Sequence, residues 1–297
     1  MKKLISENVV LYTLAITAAA GMVYFAALIV GEAVIILGSM PFGYNMTDHP
    51  MPEDVARIVA FYGYVFVILG IILFTLKVNR LSLKDIGIGI RGGAKSTFVG
   101  LLLGAGTLAV IMAMLLAGGF VRFEGMNPQM RPLFFVLYFG GFLVQSSMEE
   151  VLCRGYIFHM LQKKISVGLS AAVSILFFAV FHFPKLFGEG ILIGIIGCVN
   201  LVLVGVILVR LTIRGKNIGA AIGFHWIWNF LLFNVIGLNL SGLETEDSLF
   251  KVRAVNGFLT GHSYGIESSV ITTVVLGAVI TAIILTERGR RKNGISQ

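Results

Sequence analysis

Six polar or ionisable residues have the types and spacing that chemistry needs, and all six lie in apolar surroundings. They are Glu149 and Glu150 with Arg154, then His182, then His225 with Asn229. Each group falls in a run long enough to cross a bilayer. A charge at the centre of a membrane helix costs about 2.5–3.5 kcal/mol even on the most lenient scale, so such residues mark function by default. Three clusters on three segments predict one polar site inside a helix bundle.

The spacings suggest roles. Glu150 and Arg154 are four residues apart and share a helical face, so they can pair directly. That pair reads equally as a buried lock on the fold and as part of a site. Glu149 is turned about 100° away from Glu150, where Arg154 cannot serve it well. A carboxylate so placed suits a general base. His225 and Asn229 also share a face, and two donors aimed at one point can stabilise an oxyanion. His182 stands four residues after Phe178 and just before Pro184. Taken singly, each histidine reads as readily as a hydrogen-bonded structural residue. Taken with Glu149 and Glu150, the set reads as functional. His49 and His262 fall in connections and His159 near the end of its span, so these three are expected at the surface or interface. Glu32 is expected at the interface, and Trp226 and Trp228 as packing or site lining.

The elements that must position these residues are membrane helices. Of 297 residues, 57% are hydrophobic and only 13% charged, with mean hydropathy +0.92, against about 25% charged in soluble domains. Windows of about 20 apolar residues predict eight spans, near 9–37, 55–76, 97–117, 133–160, 167–183, 191–209, 218–236 and 268–286. The expected fold is therefore all-α, a polytopic transmembrane helix bundle of about eight spans in one integral membrane domain, 1–297. All six prolines fall in connections or at helix ends, as unbroken helices require. The connections at 38–54 and 237–267 are too short for a soluble domain. Gly100 with Gly104, Gly140 with Gly141, and Gly190 with Gly194 predict close helix approaches. Cys153 and Cys198 lie within apolar runs and read as packing residues.

The net charge of +8 is a topology signal and not a nucleic-acid footprint. The basic residues gather in short connections, 16 of the 23 on one side of the alternating spans and six on the other. The positive-inside rule then puts both termini in the cytoplasm. Met1-Lys2-Lys3 before an apolar run imitates a secretory signal, but the run continues far beyond a signal core of about 7–15 residues. It predicts an uncleaved first helix. Rise per residue puts Glu149 toward the inner half of its span and His182 nearer the outer end of its own. Tilt or a shortened fifth span would be needed to bring them to one depth.

Glu149-Glu150-Val-Leu-Cys-Arg154 resembles the EExxxR motif of the CAAX prenyl protease 2-like group, the CPBP intramembrane proteases, which also includes bacteriocin-processing and immunity proteins. Phe178-Ala-Val-Phe-His182 resembles its FxxxH motif and His225-Trp-Ile-Trp-Asn229 its HxxxN motif. Order and spacing fit, and all motif residues are present. Residues 261–269, with Gly265-Ile-Glu267-Ser-Ser, look like the tail of bacterial members. Arg80-Leu-Ser-Leu-Lys-Asp85-Ile-Gly87 is similar with less specificity. The resemblance implies a family-like catalytic core at about 130–270 and peptide-bond hydrolysis by a membrane-embedded glutamate enzyme. Glu149 and His182 would activate a water, His225 and Asn229 would hold the tetrahedral oxyanion, and Arg154 would fix Glu150.

Glu149, His182 and His225 could also ligate a divalent metal such as zinc and leave a fourth position for water. The chain lacks an H-E-x-x-H helix, and the expectation is that no metal is required. The expected substrate is a membrane-associated or hydrophobic peptide or membrane protein in a bacterial plasma membrane. The expected partners are that substrate and the bilayer, with no nucleic acid. A non-catalytic immunity or scaffold protein is the alternative. A transporter fits less well, because the spans show no inverted repeat and no proline-broken helix pair.

Overall fold

The computed structural model describes residues 8–45, 48–89, 92–188 and 190–292, with side chains described up to 289. Lys2, Lys3 and Arg91, counted in the charge bias, lie outside the described residues, as does the signal-like start.

Helix α1 (Val9–Ser39) is capped by Asn8, whose side chain accepts the Val10 and Leu11 N–H groups at 2.9 and 3.1 Å. Helices α2 (Glu53–Gly63) and α3 (Val65–Leu73) follow, and α3 runs into a π-helical turn at Phe74–Val78. After α4 (Gly93–Ala117) and strand β1 (Val121–Met126), α5 (Pro132–Glu150) continues through a π-helical segment (Val151–Ile157) into α6 (Phe158–Gln162). The chain then forms α7 (Val167–Val180), α8 (Phe183–Gly188), α9 (Ile191–Gly215) and α10 (Gly219–Phe230), the last extended by π-helical Leu231–Ile236. Strand β2 (Phe250–Ala254) and α11 (Val270–Lys292) complete it.

Among the described residues, six helical runs are long and apolar enough to cross a membrane: Val9–Phe42, Glu53–Val78, Gly93–Ala117, Ile191–Gly215, Gly219–Ile236 and Val270–Gly289. They answer to six of the eight expected spans. The fourth expected span is the α5–α6 run, which carries Glu149, Glu150 and Arg154. The fifth is α7, which has only 14 residues. At 1.5 Å per residue that is about 21 Å, short of the roughly 30 Å hydrocarbon core. The chain is thus an all-α polytopic membrane protein with a shortened fifth apolar helix.

The helices fall into two compact units. One comprises residues 1–91 and 136–174. Within it α1 meets α3 where Gly70 approaches Ala27 and Val23, and a Cβ there would come within 3.1 Å of Ala27. Gly140 and Gly141 lie against the rings of Tyr62 and Phe61, and Phe61 also packs on Tyr138 and Phe142. The α5–α6 run is tied in by three bonds. Tyr12 Oη donates to the Met160 carbonyl (2.8 Å), Asn79 Nδ2 to Tyr156 Oη (3.0 Å), and Ser174 Oγ to the Cys153 carbonyl (2.8 Å).

The other unit comprises residues 92–135 and 175–297. Its centre is the seam between α4 and α10. A Cβ at Gly100 would collide with the Ala220 carbonyl, and one at Gly223 with the Thr97 carbonyl; at Gly104 it would come within 2.7 Å of Ile227 and the Phe224 carbonyl. Small residues therefore let the two backbones touch. Gly194 makes a similar approach to Phe187. Gly190 does not: nothing lies near it, and its φ of +99° makes it a turn residue ahead of α9.

One element was not anticipated. β1 and β2 form a two-stranded antiparallel sheet, with Val121 opposite Ala254 and a bulge between Phe123 and Gly125. Beside it the corner is fixed by Arg131, whose guanidinium grips buried Asp247 through two bonds of 2.7 and 2.6 Å. Cys153 and Cys198 are both free thiols.

Candidate active site

The carboxylate half of the site is built at the end of α5. Glu150 and Arg154 have fully buried side chains, joined by Arg154 Nη1 donating to Glu150 Oε1 at 3.1 Å. Glu149, one residue earlier, is only half-buried. Its Oε1 accepts from Gln145 Nε2 at 2.6 Å. The two adjacent glutamates thus differ: Glu150 is sealed around a cation, while Glu149 accepts from a neutral amide and is part-exposed, with its Oε2 buried. Tyr24 on α1 and Tyr64 between α2 and α3 also lie within electrostatic range of Glu149, and Tyr64 within range of exposed Glu32.

Just after Glu150 the helix widens into its π-helical segment, and all seven residues of that segment are buried. Such segments are rare and recur at functional sites. His159 secures this one. Its Nδ1 lies 2.7 Å from the Arg154 carbonyl and 3.0 Å from that of Gly155. A carbonyl can only accept, so this nitrogen carries the proton. His159 is half-buried and braces the backbone of the segment, a more interior role than the interfacial one expected.

The histidine half belongs to the other unit. His182 sits in the turn between α7 and α8, half-buried, with Nδ1 3.1 Å from the Phe178 carbonyl. By the same argument Nδ1 is the donor, so Nε2 is the nitrogen left to face a reactant. His225 and Asn229 are 8% and 6% exposed on α10. Phe178 joins the two histidines. Its ring centroid lies 4.8 Å from His182 and 5.9 Å from His225, the latter edge-on at 86°. The phenylalanine of the FxxxH motif is therefore the common wall against which both imidazoles rest. Like α5, α10 passes into a π-helical segment directly after its motif residues.

The structure thus groups Glu149, Glu150 and Arg154 in one unit, and His182, His225 and Asn229 in the other. His49 and His262 are exposed, as expected. Sequence reasoning missed Gln145 and the shared role of Phe178. Gln145 was findable, since it stands four residues before Glu149. Chemically, one half offers a part-exposed glutamate beside a buried ion pair. The other offers an imidazole beside an imidazole–carboxamide pair. Within either unit no three described His, Cys, Asp or Glu side chains gather at metal-binding distance, so a set of Glu149, His182 and His225 would draw on both.

Residues 131–231, about a third of the chain, match the family model described as type II CAAX prenyl endopeptidase Rce1-like. All six site residues lie in that stretch. No curated protein matches the chain.

Proposed function

We propose that the chain, whose residues 131–231 match the type II CAAX prenyl endopeptidase Rce1-like model, is an intramembrane protease that hydrolyses a peptide bond in a membrane-associated or hydrophobic peptide. Glu149 takes the proton of a water that His182 Nε2 helps to orient, and the water attacks the scissile carbonyl carbon. His225 and Asn229 donate to the oxyanion, and the proton taken by Glu149 passes to the leaving amine as the C–N bond breaks. Arg154 holds Glu150, which leaves Glu149 as the carboxylate that takes the proton.

The observation that carries this reading is the division between the adjacent glutamates. Glu150 is wholly buried against Arg154, whereas Glu149 keeps part of its surface exposed and accepts from Gln145. No metal is required in this scheme. Were a divalent metal such as zinc bound, Glu149, His182 and His225 would hold it and it would supply Lewis acidity to the water. Chelation would then abolish cleavage, which the metal-free scheme does not expect.

The whole chain acts as one integral membrane domain with its core at about 130–270, in a bacterial plasma membrane with both termini cytoplasmic. Its partners are the bilayer and the substrate, with no nucleic acid. Substrates of fitting chemistry are signal-peptide remnants, bacteriocin or pheromone precursors and small membrane regulators. Comparing membrane and secreted peptides by mass spectrometry, in cells carrying wild type or Glu149→Gln at matched expression, tests this. Fragments seen only with wild type are expected. Identical peptide sets, with a phenotype kept by the mutant, would instead favour an immunity or scaffold protein.

A further inference from the structure

Glu267 is a carboxylate with three hydrogen bonds to two other segments. Its Oε1 accepts from Trp228 Nε1 at 3.3 Å. Its Oε2 accepts from the Ser241 backbone N–H at 2.6 Å and from the Ser241 hydroxyl at 2.7 Å. Ser241 has φ +48°, a left-handed conformation that a non-glycine residue adopts only when held. The turn carrying Glu267 is itself fixed. Asn200, 2% exposed on α9, donates to the carbonyls of Glu267 and Ser269 at 2.8 and 2.9 Å, and Thr273 donates back to its side-chain oxygen at 2.7 Å. The carboxylate is thus anchored from behind and grips α10 in front.

What it grips is the turn that bears the oxyanion pair. Trp228 is 4% exposed and stacks on Phe224 with rings 14° from parallel. On a helix it lies about 60° from His225 and about 100° from Asn229, so a rotation that frees its indole also swings both. The seam with α4 reaches Phe224 and Ile227, and beyond Phe230 the helix runs straight into π-helical Leu231–Ile236. We propose that Glu267 is a positioning residue for His225 and Asn229, acting through the Trp228 indole. The inference rests on the reading above that this pair holds the oxyanion.

Trp228→Phe removes the N–H donor and keeps a stacked ring, while Glu267→Gln keeps the shape and removes the charge. Two measurements on the purified full chain separate positioning from mere packing. Hydrogen exchange should rise about tenfold for the amides of 225–236 in both variants while the amides of α4 stay unchanged, as expected for loss of a hydrogen bond to a charged group. Cleavage of a fluorogenic peptide copied from a wild-type-only junction should lose about tenfold in kcat per folded molecule, with KM within about twofold. The double variant should lose less than the product of the two single losses, since both changes weaken the same Trp228–Glu267 bond. Unchanged exchange in 225–236, an unchanged kcat per folded molecule, or losses that multiply in the double variant would overturn the proposal. If wild type itself gave no cleavage that Glu149→Gln abolishes, the protease reading would fall, and exchange alone would decide whether Glu267 orders this turn.

Discussion

Arg154→Met is the sharpest single test of how the two glutamates divide their work. Both side chains of the Glu150–Arg154 pair are fully buried and their charged atoms lie 3.1 Å apart, so no solvent screening discounts the interaction. Removing one partner of a buried pair costs about 3–5 kcal/mol, because the remaining charge stays in a poor solvent. At roughly 2–4 °C per kcal/mol for chains of this size class, thermal unfolding in detergent should fall by about 6–20 °C. Replacing both residues by methionine removes the stranded charge along with its partner. Such double replacements are often neutral or stabilising, so the double variant should recover to within about 1 kcal/mol of wild type. Its cleavage per folded molecule should recover with it if the pair only fixes the helix. Thermal unfolding followed by tryptophan fluorescence, with cleavage read on the same samples, gives both answers. A double variant as unstable as Arg154→Met, or less stable, would refute the argument that the stranded charge is what destabilises Arg154→Met.

Gly223→Val should abolish a monodisperse species in size-exclusion chromatography, because its Cβ would overlap the Thr97 carbonyl; Gly106→Ala, with nothing near its Cβ, should elute as wild type. Gln145→Leu removes a donor to Glu149 and should lower kcat about tenfold with KM and unfolding temperature nearly unchanged; an unaltered kcat would exclude Gln145 from orienting the base. In the turn at Leu83–Ile86, the side-chain and backbone donors of Ser82 hold the Asp85 carboxyl below its ordinary 3.8. A lowered carboxyl stabilises above the unfolded value and loses that contribution as pH falls through the folded one. Amides of residues 82–88 should therefore exchange faster in Asp85→Asn than in wild type at neutral pH, and the difference should shrink as pH falls below about 3.8 and vanish below the lowered folded value.

The membrane class and most of the helices were legible because hydropathy over about 20 residues is a property of the sequence alone. The Glu150–Arg154 pair was legible for a similar reason: four-residue spacing fixes a shared face on any helix. Gln145 obeyed the same rule and was overlooked beside the charged residues. The sheet left a local trace, since Val121-Arg-Phe-Glu and Phe250-Lys-Val-Arg alternate apolar with charged. Strands that pair across more than a hundred residues still give no local sign of each other. The π-helical segments after Glu150 and Phe230 were not legible at all, because one extra residue per turn is chosen by the surrounding packing and not by propensity. The grip of Glu267 on Trp228 depends on where a distant turn docks. The resemblance flagged that tail without indicating what it held.

The central claim is that Glu149 activates the water that cleaves a peptide bond. The most direct test is cleavage of one identified substrate peptide by purified wild type and by Glu149→Gln, in detergent and at matched folded concentration. Loss of a positioned general base should slow cleavage by about 10²–10⁴-fold, with the unfolding temperature near that of wild type. Cleavage by Glu149→Gln at the wild-type rate would contradict the account.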